Sequence, residues 1–202
     1  MSSPTWNGED TPDQTLNLGV AGWFRVTWRG AVLVLVILVC FVALLVLRLV
    51  ERPLFGAARP WTPVLTLFVC RTALGLMGLG YQRHGTPMEH PGAVVANHSS
   101  WLDIFTLNRD ARVYFVSKDD VARWPGIGWL ARATGTVFIR RSARDAAAQR
   151  AIFEERLLHG HKLLFFPEGT STDGLRVLAF KPTLFAAFFA PELRDLMWVQ
   201  PV

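Results

Sequence analysis

Apolar and polar positions divide this chain into three stretches of different texture. Residues 1–23 open on a polar, proline-bearing run with Pro4, Glu9, Asp10, Pro12 and Asp13, expected as a disordered tail. Residues 30–47 contain no polar side chain except Cys40, and Arg29 and Arg48 bracket them. Eighteen helical residues rise about 27 Å, just under the roughly 30 Å hydrocarbon core of a bilayer. A breaker-rich linker over 51–63 carries Pro53, Pro60 and Pro63, and a second apolar run covers 64–79. Arg71 interrupts that run, and Gly75, Gly78 and Gly80 thin its end. An arginine at mid-membrane is costly, so the second run is expected at the interface or part-way in. The alternative is the first core helix of a globular part.

From residue 81 onward, short β-rich runs alternate with helical ones. Residues 92–97, 113–117, 136–139, 162–166 and 196–200 are predicted strands. Residues 101–108, 125–133, 142–159 and 183–190 are predicted helices, the third with Ser142 and Asp145 as a capping signal and Gly160 as its stop. The expected fold is α/β, a mixed, partly parallel sheet flanked by helices, behind an N-terminal membrane-associated helical hairpin. The expected division is a tail over 1–23, anchoring helices over 24–80 and a globular domain over 81–202.

Composition sharpens this picture. The chain has 202 residues, 51% hydrophobic and 18% charged. Charge is below the roughly one quarter usual for soluble domains, and the apolar excess excludes a disordered chain. Two cysteines, both in apolar stretches, exclude a disulfide scaffold and a catalytic thiol. Residues 21–81 hold Arg25, Arg29, Arg48, Arg52, Arg59 and Arg71 against one acid, Glu51. A hairpin dipping into one leaflet keeps every arginine beside anionic cytoplasmic head groups, which points to the inner membrane with the globular domain on its cytoplasmic face. The net charge of +5 forms no single basic run and no nucleic-acid motif, so nucleic acid is not an expected partner.

Chemistry-bearing residues follow predicted strands, where ligands bind in α/β sheets. His98 and Asp103 are five apart. They can meet only with His98 in the turn before a helix, capped by Ser99 or Ser100, and Asp103 in its first turns. The carboxylate would then hold one imidazole nitrogen and leave the other free to take a proton, as a base and its orienter do in acyl transfer. Taken alone, such a pair is more often a helix cap on the surface. Asn97-His98-Ser99 also matches a glycosylation sequon, and His159 with His161 lacks the further ligands of a zinc site, so no metal is expected. Arg141 follows the strand 136–139 as a candidate anion partner. The loop from Glu168 through Gly169 and Thr170 to Gly174 offers backbone donors and hydroxyls.

Together these blocks resemble the glycerolipid acyltransferase family, the 1-acyl-glycerol-3-phosphate acyltransferases (PlsC-like). Asn97-His98-x-Ser100-x-x-Asp103 is similar to the family's HX4D box, Gly135-x-x-Phe138-Ile139-x-Arg141 to its second block, and Phe166-Pro167-Glu168-Gly169-Thr170 to its third. Val199-Gln200-Pro201-Val202 is similar to the start of the fourth, and Phe180-Lys181 also falls where the family carries similar residues. The resemblance covers about residues 80–202. It implies His98 as general base, Asp103 as its orienter, and Arg141, Glu168, Gly169 and Thr170 as acceptor-binding residues, with Asn97, Ser100, Phe138, Pro167 and Lys181 in support. It implies an acyl thioester, on acyl carrier protein or coenzyme A, as co-substrate, with no further cofactor. The acceptor would be a lysolipid hydroxyl, in membrane lipid biosynthesis.

Two departures stand out. The family's third block commonly continues with Arg, and here that position is Ser171. This weakens the case for a phosphate-bearing acceptor and makes the block more similar to the lyso-ornithine lipid acyltransferases of the same family. Arg140 stands where an acid is common and could partly replace the lost charge. The chain also ends at Val202, inside a predicted strand, where family members continue, so the expectation is a truncated domain. A catalytically silent membrane adaptor on the same fold is one alternative. A lipid hydrolase using the same pair on water is another, disfavoured because the chain lacks a GxSxG elbow.

Overall fold

A computed structural model describes residues 18–140, 146–181 and 197–202. Helix α1 (Val20–Phe55) is longer at both ends than the apolar run that predicts it. No proline separates Val20 from Gly30 and Gly22 is tolerated within the helix, so α1 begins inside the expected tail. It also continues through Pro53 in its last turn, at the cost of the one N–H bond that this position would otherwise donate back along the helix. At 36 residues α1 is about 54 Å long, long and apolar enough to cross a membrane. Only 6% of its most apolar 18-residue window is buried in the protein.

Glu51, the lone acid of this region, is fully buried. Its carboxylate accepts from Trp61 N at 2.7 Å, Thr62 N at 3.0 Å, Thr62 Oγ1 at 2.9 Å and Arg48 at 2.9 Å. It therefore satisfies the open N–H groups at the start of α2 (Thr62–Met77), the work of an N-cap done from the neighbouring helix. Arg71 does not sit bare in an apolar stretch. Its guanidinium donates to Arg109 O at 3.0 Å and Asp110 at 3.3 Å in the globular part. With Cys70, Ala73 and Leu74 buried, α2 is packed both as the partner of α1 and as the first helix of the globular part.

The sheet contains β1 (Gly92–Val95), β2 (Val113–Lys118), β3 (Val137–Ile139), β4 (Lys162–Phe165) and β5 (Trp198–Pro201) in the order β3-β2-β4-β1-β5. Every pairing among the described residues is parallel. Helices α3 (Asp103–Leu107), α4 (Ile127–Thr134) and α5 (Ala146–Leu158) connect them, with a 3-10 turn over Asp119–Arg123 that the sequence does not signal. The expected α/β class holds, and each predicted strand lies within two residues of an observed one. Predicted helix 183–190, residue 196 and the Ser142–Asp145 cap lie outside the described residues.

Strand period 2 splits the core onto two faces. Ala93, Leu163 and Phe165 pack with Tyr114 against Phe153 and Leu157 of α5. Val94, Val113 and Leu164 face Leu107 of α3, with Phe115 and Phe166 beside them. β1 and β4 are adjacent, with Val95 opposite Phe165, so both strands end at one level. The loops that follow them therefore lie side by side. At the other end of β1 a side chain on Gly92 would overlap the Trp198 carbonyl oxygen, so glycine is what lets β5 approach.

Candidate active site

The loop after β1 turns into α3 through residues 96–102. Ser100 Oγ accepts from Leu102 N at 3.2 Å, two residues on, which bends the chain into the helix as the expected cap would. Asp103 is the first helical residue. Its Oδ2 accepts from Ser99 N at 2.8 Å, Ser100 N at 3.1 Å and His98 Nδ1 at 2.8 Å. An ionised carboxylate only accepts, so this bond selects the tautomer with hydrogen on Nδ1 and leaves a lone pair on Nε2. Burial works to raise the Asp103 carboxyl. The hydrogen bonds from His98, Ser100 and Ser99 outweigh it and hold the group below its ordinary value of 3.8.

The loop after β4 supplies the other wall. Gly169 N donates to Phe166 O at 3.1 Å, closing a four-residue turn with Pro167 at its second position and Gly169 at φ 71°. The turn buries Glu168 to 1% exposure. Its carboxylate accepts from His98 N at 3.4 Å on one oxygen and Leu178 N at 3.2 Å on the other. Glu168 thus braces the backbone of His98 and ties it to the segment beyond Gly174. Thr170 is half-buried on the same loop. Lys181 N donates to Pro167 O at 2.9 Å, which returns the chain to the turn.

Not every expected site residue converges here. Asn97 is exposed on the loop beside His98. Phe138 lies on β3, with β2 and β4 between it and β1, three strand spacings or about 14 Å away. It pairs with Ser117 on the far side of the sheet from the His98 loop. Arg141 lies outside the described residues. Arg140 binds Asp119 at 3.1 Å, so its charge is already engaged.

Two contributors escaped the sequence reading. The Phe166 ring stacks on His98 at 4.0 Å and 12°, fixing the imidazole plane. Its signal was its position at the head of the Pro-Glu-Gly turn, the first residue past a strand. Thr172 N donates to His98 O at 2.9 Å. Its own hydroxyl accepts from Gly174 N at 3.2 Å and donates to Arg176 O at 3.1 Å. Nothing in the sequence distinguished it from its neighbours Thr170 and Ser171. Trp101 and Ile104, next to the pair, are 61% and 45% exposed and form an apolar rim.

The arrangement is an oriented imidazole with one free nitrogen at the mouth of two loops. A family model described as Acyltransferase matches residues 81–196, which include both loops. The lyso-ornithine lipid O-acyltransferase of Rhodobacter capsulatus is 57% identical to this chain over its whole length, covering 73% of that protein. The protein of the same name from Rhizobium meliloti is 39% identical over 82% of this chain and 55% of its own. The 1-acyl-sn-glycerol-3-phosphate acyltransferase of Neisseria gonorrhoeae is 38% identical over 56% of this chain and 46% of its own. Beyond the first of these, the chain spans about half the length of the relatives it matches. The crystal structure of the 1-acyl-sn-glycerophosphate acyltransferase PlsC from Thermotoga maritima aligns with a TM-score of 0.48 and 22% identity, over 79% of this chain and 70% of that one. With the match to residues 81–196 and the identity along its full length, this chain belongs to the acyltransferase family.

Proposed function

We propose that this protein is a lysolipid O-acyltransferase of membrane lipid synthesis, with lyso-ornithine lipid its preferred acceptor and 1-acyl-sn-glycerol-3-phosphate second. The observation that carries the reading is the 2.8 Å bond from His98 Nδ1 to Asp103, which leaves Nε2 as the base. His98 Nε2 takes the proton of the acceptor hydroxyl as its oxygen attacks the carbonyl of an acyl thioester on acyl carrier protein or coenzyme A. The tetrahedral intermediate collapses with cleavage of the C–S bond, and the proton on Nε2 passes to the departing thiolate. Asp103 keeps the imidazole in the working tautomer and stabilises the imidazolium between the two transfers. No acyl-enzyme is required, because the acceptor brings its own nucleophile.

In this reading Glu168, with Gly169, braces the His98 loop from below, Thr170 lies beside the acceptor, and Arg141 holds the acceptor's anionic group. Acceptor preference follows from Ser171, which supplies no cation for a phosphate, and from the identity to lyso-ornithine lipid acyltransferases. Helix α1 and the exposed Trp101–Ile104 rim support a site held at a membrane surface. The proposed location is the cytoplasmic face of the inner membrane, where both thioester donors are available and the arginines meet anionic head groups. The proposed division keeps residues 24–80 as anchor and 81–202 as catalytic part, with α2 serving both.

The test is thiol release from acyl carrier protein and coenzyme A thioesters, with the two lysolipids in competition. Ester formation is expected to favour lyso-ornithine lipid and to vanish in His98→Ala, which should still sediment with membranes. Turnover by His98→Ala at the wild-type rate removes the base. Silence of the wild-type protein with every acceptor favours the adaptor, and free fatty acid without acceptor favours a hydrolase.

A further inference from the structure

A cleft of about 970 Å3 lies between the C-terminal half of α1 and α4, lined by no residue of the His98 or Glu168 loops. Its wall on α1 is apolar, with Phe41, Val42, Leu45 and Leu49, and Trp129 of α4 faces it. From Phe41 to Leu49 the helix rises about 12 Å. The cleft then changes character, because Arg48, Arg52, Arg59 and Arg132 also line it.

Of these four cations only Arg48 is paired with a carboxylate among the described residues. Arg48 is held by Glu51 at 2.9 Å. Arg59 donates to Ala133 O at 2.9 Å and Arg132 to Ala122 O at 2.8 Å, both neutral carbonyls. Among the described residues no carboxylate forms an ion pair with Arg52, Arg59 or Arg132. Burial first, then the charges of Arg48 and Arg156, push the Arg59 guanidinium down to about 10.

We propose that this cleft binds one anionic phospholipid, its acyl chain along Phe41–Leu49 and its phosphate among Arg52, Arg59 and Arg132. Charge complementarity selects the anion, and guanidinium forks suit a phosphate. The apolar wall selects a lipid over a soluble anion or an acidic protein, since it continues the exposed apolar surface of α1, where Val34, Leu35, Leu38 and Val39 are each more than half exposed. The order along α1, apolar then cationic, matches the order of chain then head group in one leaflet. The lipid would act as a clamp between the anchor and α4.

Native mass spectrometry of the full chain in a neutral detergent tests this, with phosphatidylglycerol and phosphatidylcholine of equal chain length as probes. One phosphatidylglycerol is expected to be retained in preference to phosphatidylcholine. Arg52→Gln/Arg132→Gln should weaken it about thirty-fold, from two surface cations near a phosphate. Arg52→Gln alone, at an exposed position, should weaken it about five-fold and guards against misfolding of the double variant. The charge-matched Arg25→Gln/Arg112→Gln should bind as wild type. Equal retention of both lipids overturns the proposal, as does equal weakening in the control variant. Displacement of phosphatidylglycerol by equimolar glycerol phosphate overturns the apolar wall's role, and displacement by acyl carrier protein assigns the cleft to a protein partner instead.

Discussion

Replacing Asp103 by Asn separates a catalytic pair from a helix cap. The amide oxygen can still accept from Ser99 N and Ser100 N, now at 2.8 and 3.1 Å, so the turn into α3 should survive. The negative charge beside the imidazole does not. Donor and acceptor are 2.8 Å apart, and the His98 and Asp103 side chains are 25% and 17% exposed. At the effective dielectric of about 20 that suits such sites, unit charges about 4 Å apart interact by about 4 kcal/mol. That energy is available only once His98 is protonated, so it belongs to the transition state and not to acceptor binding. The expected result is a fall of roughly a thousand-fold in kcat, at about 1.4 kcal/mol per decade, with the acceptor KM within about two-fold. Thiol release under saturating donor measures both. A variant that keeps more than a tenth of the wild-type kcat would reduce the pair to a cap, and a fall carried by KM would move Asp103 into binding. Stability gives a second readout. The Asp103 carboxyl is held below 3.8, so its contribution is complete above that value and is lost as pH falls through the lowered one. The stability gap between wild type and Asp103→Asn should therefore narrow only below about pH 4.

Three further outcomes follow from other parts of the structure. Ser171→Arg should raise kcat/KM for 1-acyl-sn-glycerol-3-phosphate relative to lyso-ornithine lipid, and no change in the ratio removes Ser171 as the discriminator. His161 is buried with Nε2 on Ala58 O at 3.1 Å and Nδ1 without a partner, and burial pushes it from 6.5 down to about 4. The unfolded chain binds the proton first, so stability should fall as pH drops from 6.5 to about 4, by up to about 3 kcal/mol. His161→Phe, which keeps the ring against Tyr114, should flatten that limb in thermal unfolding, and an unchanged limb would refute the assignment. Gly92→Ala should displace β5 from β1 and destabilise the protein by several kcal/mol, on the scale of an overpacked core, read by chemical denaturation.

Much of this molecule was legible because local chemistry fixed it. Strand runs such as Lys162–Phe165 are apolar on both faces, which suits a strand buried in a parallel sheet. The His98–Asp103 spacing allowed contact only across a helix start, and that is where the residues stand. The length and apolarity of 30–47 specified a lipid-length helix. What escaped the sequence depended on which elements become neighbours. Arg71 looked like an isolated charge in an apolar run, and Glu51 like a lone acid at the start of a linker. Their partners, Thr62 on the next helix and Arg109 and Asp110 across the fold, exist only after packing. Phe138 belonged to a matching block, yet strand order put β2 and β4 between it and the site. Phe166 and Thr172 reached His98 for the converse reason, since β4 inserts beside β1 and aligns two loops seventy residues apart. The sequence by itself determined most of the elements, the long apolar helix and the His98–Asp103 contact, because each depends on residues within a few turns of one another. Only the tertiary structure decided the brace around His98 and the cationic cleft at α1, because strand order and helix docking are long-range contacts that no local pattern encodes.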